Sequence, residues 1–115
     1  MPRINYFGGK SSPLERSYKG KVYDSKKEMY YAMELDLLQK AGEIRYWTPQ
    51  VKFELEAYGK KVCNYTVDFK VRHKDDSVEY IEVKGYWTST ARLKWKMFSA
   101  KMAQEEPEAK LTIET

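Results

Sequence analysis

The sequence predicts a small mixed α/β domain, on three observations. Two amphipathic helical segments bracket a run of alternating strands, each helix carries its own cap signals, and the strands are joined by short polar turns. At 115 residues, with 42% apolar and 33% charged residues, the chain supports one domain around one modest core.

Residues 1–22 hold Gly8, Gly9, Ser11, Ser12, Pro13 and Gly20 and lack periodicity, so they read as a basic arm preceding a domain over 23–115. DSKKEMYYAMELDLLQKAG (24–42) is predicted as a helix: Asp24 or Ser25 caps it, Ser25-x-x-Glu28 matches a capping box, and Gly42 stops it. EIRYWTPQVKFELEA is strand-like with a break at Pro49, and Tyr58-Gly59-Lys60 is a turn. Strands are expected at about 62–72 and 78–84. A second helix, about 89–104, starts at Thr88 or Ser89 and ends before Pro107, and KLTIE (110–114) is a final edge strand.

Composition excludes several classes. No apolar run approaches the roughly 20 residues of a membrane helix, and the N-terminus lacks a signal segment. The lone Cys63 cannot form an internal disulfide and reads as a buried thiol. These features lead to the expectation of a cytoplasmic protein. A single His, His73, argues against zinc-type His clusters and His-based nuclease chemistry. The absence of a Gly-rich phosphate loop argues against a nucleotide cofactor.

The net charge of +4 is unevenly spread. Residues 1–27 carry Arg3, Lys10, Arg16, Lys19, Lys21, Lys26 and Lys27 against Glu15 and Asp24, while residues 92–101 carry Arg92, Lys94, Lys96 and Lys101 and no acid. Two basic segments with Tyr6, Phe7, Tyr18, Tyr23 and Trp95 among them fit a nucleic-acid footprint; solvated charge on a tail and a helix face fits equally.

The chemistry concentrates in YTVDFKVRHKDDSVEYIEVKG (65–85). Alternation places Tyr65, Val67, Phe69 and Val71 on one face and Thr66, Asp68 and Lys70 on the other; in the next strand Ile81 and Val83 oppose Tyr80, Glu82 and Lys84. A loop over 73–77 pairs Arg72 with Val78, and counting back sets Asp68 opposite Glu82 and Thr66 opposite Lys84. Like charges that face each other at roughly 4.5–5.5 Å between Cβ atoms are destabilising. A raised pKa, the Lys84 ammonium or a hard divalent cation would offset the repulsion, and Mg²⁺ suits oxygen ligands best. Lys84 on the same face is placed to act on an attacking water or on transition-state charge. The plain alternative is the solvated side of a sheet.

These residues resemble the PD-(D/E)xK nuclease superfamily, whose signature is an acid on one strand and (D/E)-x-K on the next. Here the motif is Val67-Asp68 and Glu82-Val83-Lys84, with the Pro of the name absent. More narrowly, the chain is similar to a group of small phage-encoded nucleases that carry a domain of unknown function. The matching blocks are YKGKVYDSKKE (18–28), LLQKAGEIRYWTPQVKFEL (37–55), YTVDF (65–69), IEVKG (81–85) and RLKWKMF (92–98), which span most of the domain. The resemblance implies a restriction-endonuclease-like core, a central mixed sheet flanked by helices. It implies Mg²⁺, with Mn²⁺ able to substitute, held by Asp68, Glu82 and the backbone carbonyl of Val83, and Lys84 as catalytic lysine. It also implies branched DNA as substrate, in the manner of Holliday-junction resolvases in phage recombination or repair, and a homodimer in the cytoplasm of the host.

A helix-borne Glu completes such sites, and Glu28 is the matching position. On a wheel of about 100° per residue, Tyr30, Tyr31, Met33, Leu35, Leu37 and Leu38 form an apolar arc with Glu34 near its centre and Glu28 at its edge. Glu34 is therefore the competing acid, and a capping box is the competing role for Glu28. Gln50 matches a position that orients water or DNA, or is structural. Lys10, Arg16, Lys19, Lys21, Arg92, Lys94 and Lys96 are the expected phosphate contacts. Lys94 and Lys96 point roughly 200° apart, and the resemblance selects Lys94 for the active-site side. A non-catalytic nucleic-acid-binding module and a nuclease trimming single strands or ends stand as alternatives.

Overall fold

In the computed structural model, which describes residues 11–115, two helices flank a four-stranded mixed sheet. The elements are β1 (Ser17–Tyr18), β2 (Lys21–Val22), α1 (Lys26–Lys40), β3 (Ile44–Ala57), β4 (Lys60–His73), β5 (Val78–Val83), α2 (Ser89–Glu105) and β6 (Lys110–Glu114). The sheet order is β3-β4-β5-β6, antiparallel except for the last pair, where β6 runs parallel to β5 after the α2 crossover. The mixed α/β expectation holds. No helix among the described residues is long and apolar enough to cross a membrane.

Residues 14–22 depart from the expected irregular arm. Leu14–Arg16 is a 3₁₀ turn and β1–β2 a two-stranded hairpin, fastened to α1 where the Tyr18 hydroxyl donates to Asp36 Oδ2 at 2.6 Å. Lys10 lies outside the described residues.

The helix ends follow their signals. Ser25 Oγ accepts from the Glu28 N–H at 3.1 Å. At the other end Gly42 takes φ +76°, with Gly42 N–H on Gln39 O and Glu43 N–H on Leu38 O, the paired bonds of a Schellman stop. Thr88 Oγ1 accepts from Ala91 N–H to start α2.

Pro49 does not break its strand. It lies on β3, an edge strand that tolerates a missing N–H, and pairs with Phe69 of β4. The irregularity sits one residue later, at Gln50, whose φ of +52° is rare for a side chain of that kind. Two cores lie against the sheet. Phe69 and Val71 pack with Met29, Ala32, Leu35, Ile81 and Val83 beneath α1, whereas Tyr65 and Val67 pack with Leu55, Tyr80, Phe98 and Met102 beneath α2. Simple alternation put all four of these β4 residues on one face. The strand instead changes the core it serves between Val67 and Phe69, at Asp68.

The burial of α1 also differs from the wheel. Its inner face is Glu28, Met29, Ala32 and Leu35, and Tyr30, Met33, Leu37 and Leu38 are exposed. The side chain of Ala32, fully buried, is small enough to bring the helix close to the sheet.

Candidate acidic site at the open end of the hairpin

The β4–β5 ladder runs Arg72↔Val78, Val71↔Glu79, Lys70↔Tyr80 and Phe69↔Ile81, the register read from the sequence. Beyond Phe69↔Ile81 the two strands cease to pair. Asp68 Oδ2 accepts the Val83 N–H at 2.7 Å, and the Lys84 N–H donates to Glu114 O of β6 at 2.8 Å. Neither Asp68 with Glu82 nor Thr66 with Lys84 is therefore the ladder pair that the simple count predicts. Where the ladder ends, side chains from both strands and from α1 come near one another.

Three carboxylates lie there, and all are nearly sealed: Asp68 is 7% exposed, Glu82 2% and Glu28 3%. Glu34, by contrast, is exposed on α1, so Glu28 is the acid the helix delivers. Glu28 uses its backbone N–H, not its side chain, for the cap. Its Oε1 instead faces Gln50 Nε2 at 3.5 Å. The left-handed Gln50 backbone accompanies an amide aimed at the helix acid, which gives the residue a positioning role.

Glu82 is held on both oxygens. The Tyr65 hydroxyl donates to Oε1 at 2.7 Å, and Lys84 Nζ lies 3.0 Å from Oε2. The sequence showed Tyr65 only as a core aromatic; its one legible signal was a hydroxyl in an apolar row beside the acid strand. Burial, then the charge of Glu82, pushes the Tyr65 hydroxyl pKa upward, so it remains a donor.

Burial, then the charges of Glu82 and Glu28, raises the Asp68 carboxyl to about 8 against the pull of the Val83 N–H. Burial, followed by Asp24, raises Glu28 to about 7, with Gln50 acting in the opposite sense. Burial acts to lower the Lys84 ammonium, but its hydrogen bond to Glu82 and the charges of Glu82, Asp68 and Glu28 outweigh that and raise it. Lys84 is therefore a cation at neutral pH and not a resting base.

If all three acids ionise, one ammonium faces three carboxylates, a net charge of −2. A divalent cation matches that deficit. Among the described residues, Asp68 Oδ1 and Glu28 Oε2 have no protein donor, and both are hard oxygen ligands of the kind Mg²⁺ takes. As the side chains stand, no three His, Cys, Asp or Glu among the described residues form a closed metal-holding group. The carboxylates are turned toward protein donors: Gln50, Tyr65, the Val83 N–H and Lys84. The donor chemistry fits the ion, and ligation requires these side chains to turn from their protein donors.

The expected phosphate contacts divide. Lys19 is committed to Asp36 at 2.6 Å, Arg16 donates through Nη1 to the Ser11 carbonyl, and Lys21 is half-buried in β2. On α2, Arg92 and Lys96 are exposed and line a common cleft with Trp87 and Trp95, while Lys94 is half-buried and is not part of that lining. The one-turn spacing of Arg92 and Lys96 sets both on one face of the helix.

Fold and site together define a small α/β/α protein with a buried acidic centre and one lysine at the open end of a β-hairpin. The chain belongs to a family of proteins of unknown function, DUF1064, whose model matches residues 14–113. No curated protein matches the chain.

Proposed function

We propose that the protein is a Mg²⁺-dependent DNA endonuclease that hydrolyses phosphodiester bonds on branched DNA. The observation that supports it is the charge imbalance where β4 and β5 part: three buried acids, from two strands and a helix, set against one ammonium. A structural ion pair does not call for such an excess, since buried charges are ordinarily paired. A restriction-endonuclease-like core and a PD-(D/E)xK site are part of this reading.

Asp68, Glu82 and Glu28 would hold the metal, with the Val83 carbonyl as a further ligand. When bound, Mg²⁺, or Mn²⁺ in its place, supplies positive charge to the phosphate and acidity to the attacking water. Lys84, kept protonated by its acidic neighbours, donates a hydrogen bond to that water or to the phosphate oxygens as charge develops on them. Tyr65 and Gln50 fix the orientation of Glu82 and Glu28. Arg92 and Lys96 bind backbone phosphates and contribute affinity without base readout.

A four-way junction presents two equivalent strands, so a homodimer is part of the proposal. The exposed row Tyr30, Met33 and Leu37 on α1 is the surface assigned to the second copy. Leu37→Glu is expected to turn a dimer into a monomer by light scattering; an unchanged mass would remove α1 from the interface.

The deciding experiment is a gel assay in Mg²⁺ on a labelled four-way junction, a fork, a linear duplex and a single strand, with Asp68→Ala alongside. Paired symmetric cuts on the junction, lost in Asp68→Ala, are expected. Equal cutting of every substrate would keep the nuclease and discard the junction preference. Tight binding by both proteins with no cutting in Mg²⁺ or Mn²⁺ would leave a binding module.

A further inference from the structure

Beside the acidic centre lies a cleft of about 280 Å³ lined by Trp87, Arg92, Trp95, Lys96 and Ile113. Its two indoles have centroids 6.5 Å apart at an interplanar angle of 65°, so they form two walls rather than a stack. Trp95 is braced from behind by Phe98 at 5.7 Å and Tyr65 at 6.5 Å, the same Tyr65 that donates to Glu82. Trp87 is tied to the centre from the other side, with Lys84 Nζ 5.8 Å from its ring centroid. Each wall of the cleft therefore touches a residue that contacts Glu82.

The chemistry of the lining is narrow. Two aromatic walls take a flat π system, and two exposed cations take the negative charges attached to it. Among the described residues, the polar side chains of the lining are the two cations and the indoles, which gives little means of reading one base from another.

We propose that this cleft receives an unpaired nucleobase of the DNA strand whose phosphate lies at the acidic centre, stacked on Trp87 with Trp95 as the facing wall and its flanking phosphates on Arg92 and Lys96. The inference rests on the nuclease reading for its substrate and adds a requirement to it: the base beside the cut has left its duplex. Branch points, flaps and single strands satisfy that requirement, and an intact duplex does not.

The test is binding of the full chain in EDTA to a short labelled thymidylate strand, and to a strand of equal length whose central residues are abasic. Both carry the same phosphates. Intact bases are expected to tighten binding roughly 5- to 100-fold and to quench tryptophan fluorescence. Trp87→Ala is expected to erase the difference between the strands and Trp87→Phe to retain part of it, whereas Arg92→Ala with Lys96→Ala weakens both strands alike. Circular dichroism checks that each variant is folded; Trp87 belongs to neither core cluster. Equal affinity for the two strands, or a preference that survives Trp87→Ala, overturns the inference. So does competition by thymidine monophosphate at the affinity of the strand, which would make the cleft a mononucleotide site. Because EDTA suppresses metal-dependent cutting, a base preference without any cleavage in Mg²⁺ would sink the nuclease reading alone, and cleavage without a base preference would sink this one alone.

Discussion

The two ends of the β4–β5 hairpin each bury acid, and they treat it differently. At the turn end, Glu79 has both oxygens partnered: His73 Nε2 lies 2.8 Å from Oε1, and the Thr112 hydroxyl donates to Oε2. That carboxylate ties β4, β5 and β6 together. At the open end, Asp68, Glu82 and Glu28 share one ammonium; burial, then Glu82 and Glu28, lifts Asp68 to about 8, and burial, then Asp24, lifts Glu28 to about 7. One end of the hairpin satisfies its buried acid with hydrogen bonds. The other leaves a deficit, a feature associated with functional centres more than with structural ones.

The sharpest way to break this contrast is to delete an acid at each end. Asp68→Ala is expected to lower DNA cleavage by about a thousandfold or more, while Glu79→Ala leaves the cleavage rate within a few-fold and costs about 1–2 kcal/mol of stability by urea unfolding. Equal loss of cleavage in both variants would mean that the two ends are not functionally distinct.

The charge deficit is expected to respond to cations. Millimolar Mg²⁺ at pH 8 should raise the melting temperature of the wild-type protein by several degrees, since an ion that binds only the folded state stabilises it by mass action. The rise should vanish in Asp68→Asn and persist in Glu79→Gln. A rise of the same size in Asp68→Asn would move the ion elsewhere.

In EDTA the same groups dictate a pH dependence. The folded-state pKa values of Asp68 and Glu28 lie above their unfolded values, so between the two the folded protein binds more protons than the unfolded chain. Stability therefore falls as pH rises from about 4 to about 8. Asp68→Asn should flatten that decline; a wild-type stability that climbs over this range would contradict the buried-charge description.

The smallest expected effect concerns support of the centre. Tyr65→Phe removes the hydroxyl on Glu82 Oε1 without opening a cavity, and is expected to cost about 1 kcal/mol and to slow cleavage by less than removal of Glu82 does. Cleavage as low as in Glu82→Ala would make Tyr65 part of the reaction and not of the scaffold.

Much of the fold was legible because its signals are local. Ser25, Gly42 and Thr88 set helix ends through their own side chains or backbone conformations. Tyr58 and Gly59 both adopt positive φ, +53° and +76°, in the expected tight turn. Pro49 misled, because a break signal says nothing of whether a strand lies at a sheet edge, and at an edge the missing N–H is harmless. Residues 14–22 carry too short a hairpin for any periodicity to register, and its order comes from contact with α1.

The candidate site divides the same way. The register from Arg72↔Val78 to Phe69↔Ile81 follows from a period of two and a turn of defined length, and the sequence by itself determined it; past that point Asp68 meets the Val83 N–H instead of pairing with Glu82. The sequence also determined that Lys84 follows on the same strand face, and 3.0 Å from Glu82 is where that places it. Which helix acid joins them was decided by tertiary packing. The apolar arc of α1 has Glu34 near its centre and Glu28, the position the resemblance selects, at its edge; the sheet took the face through Ala32, where close approach is possible, and so buried Glu28 and left Glu34 exposed. The switch of β4 from one core to the other, between Val67 and Phe69, shows only once both helices are packed on the sheet. The pairing of Trp87 with Trp95 across a loop and a helix is likewise a product of packing. Periodicity fixes what adjacent strands present to each other; only the meeting of elements distant in sequence decides which of several equivalent faces is buried.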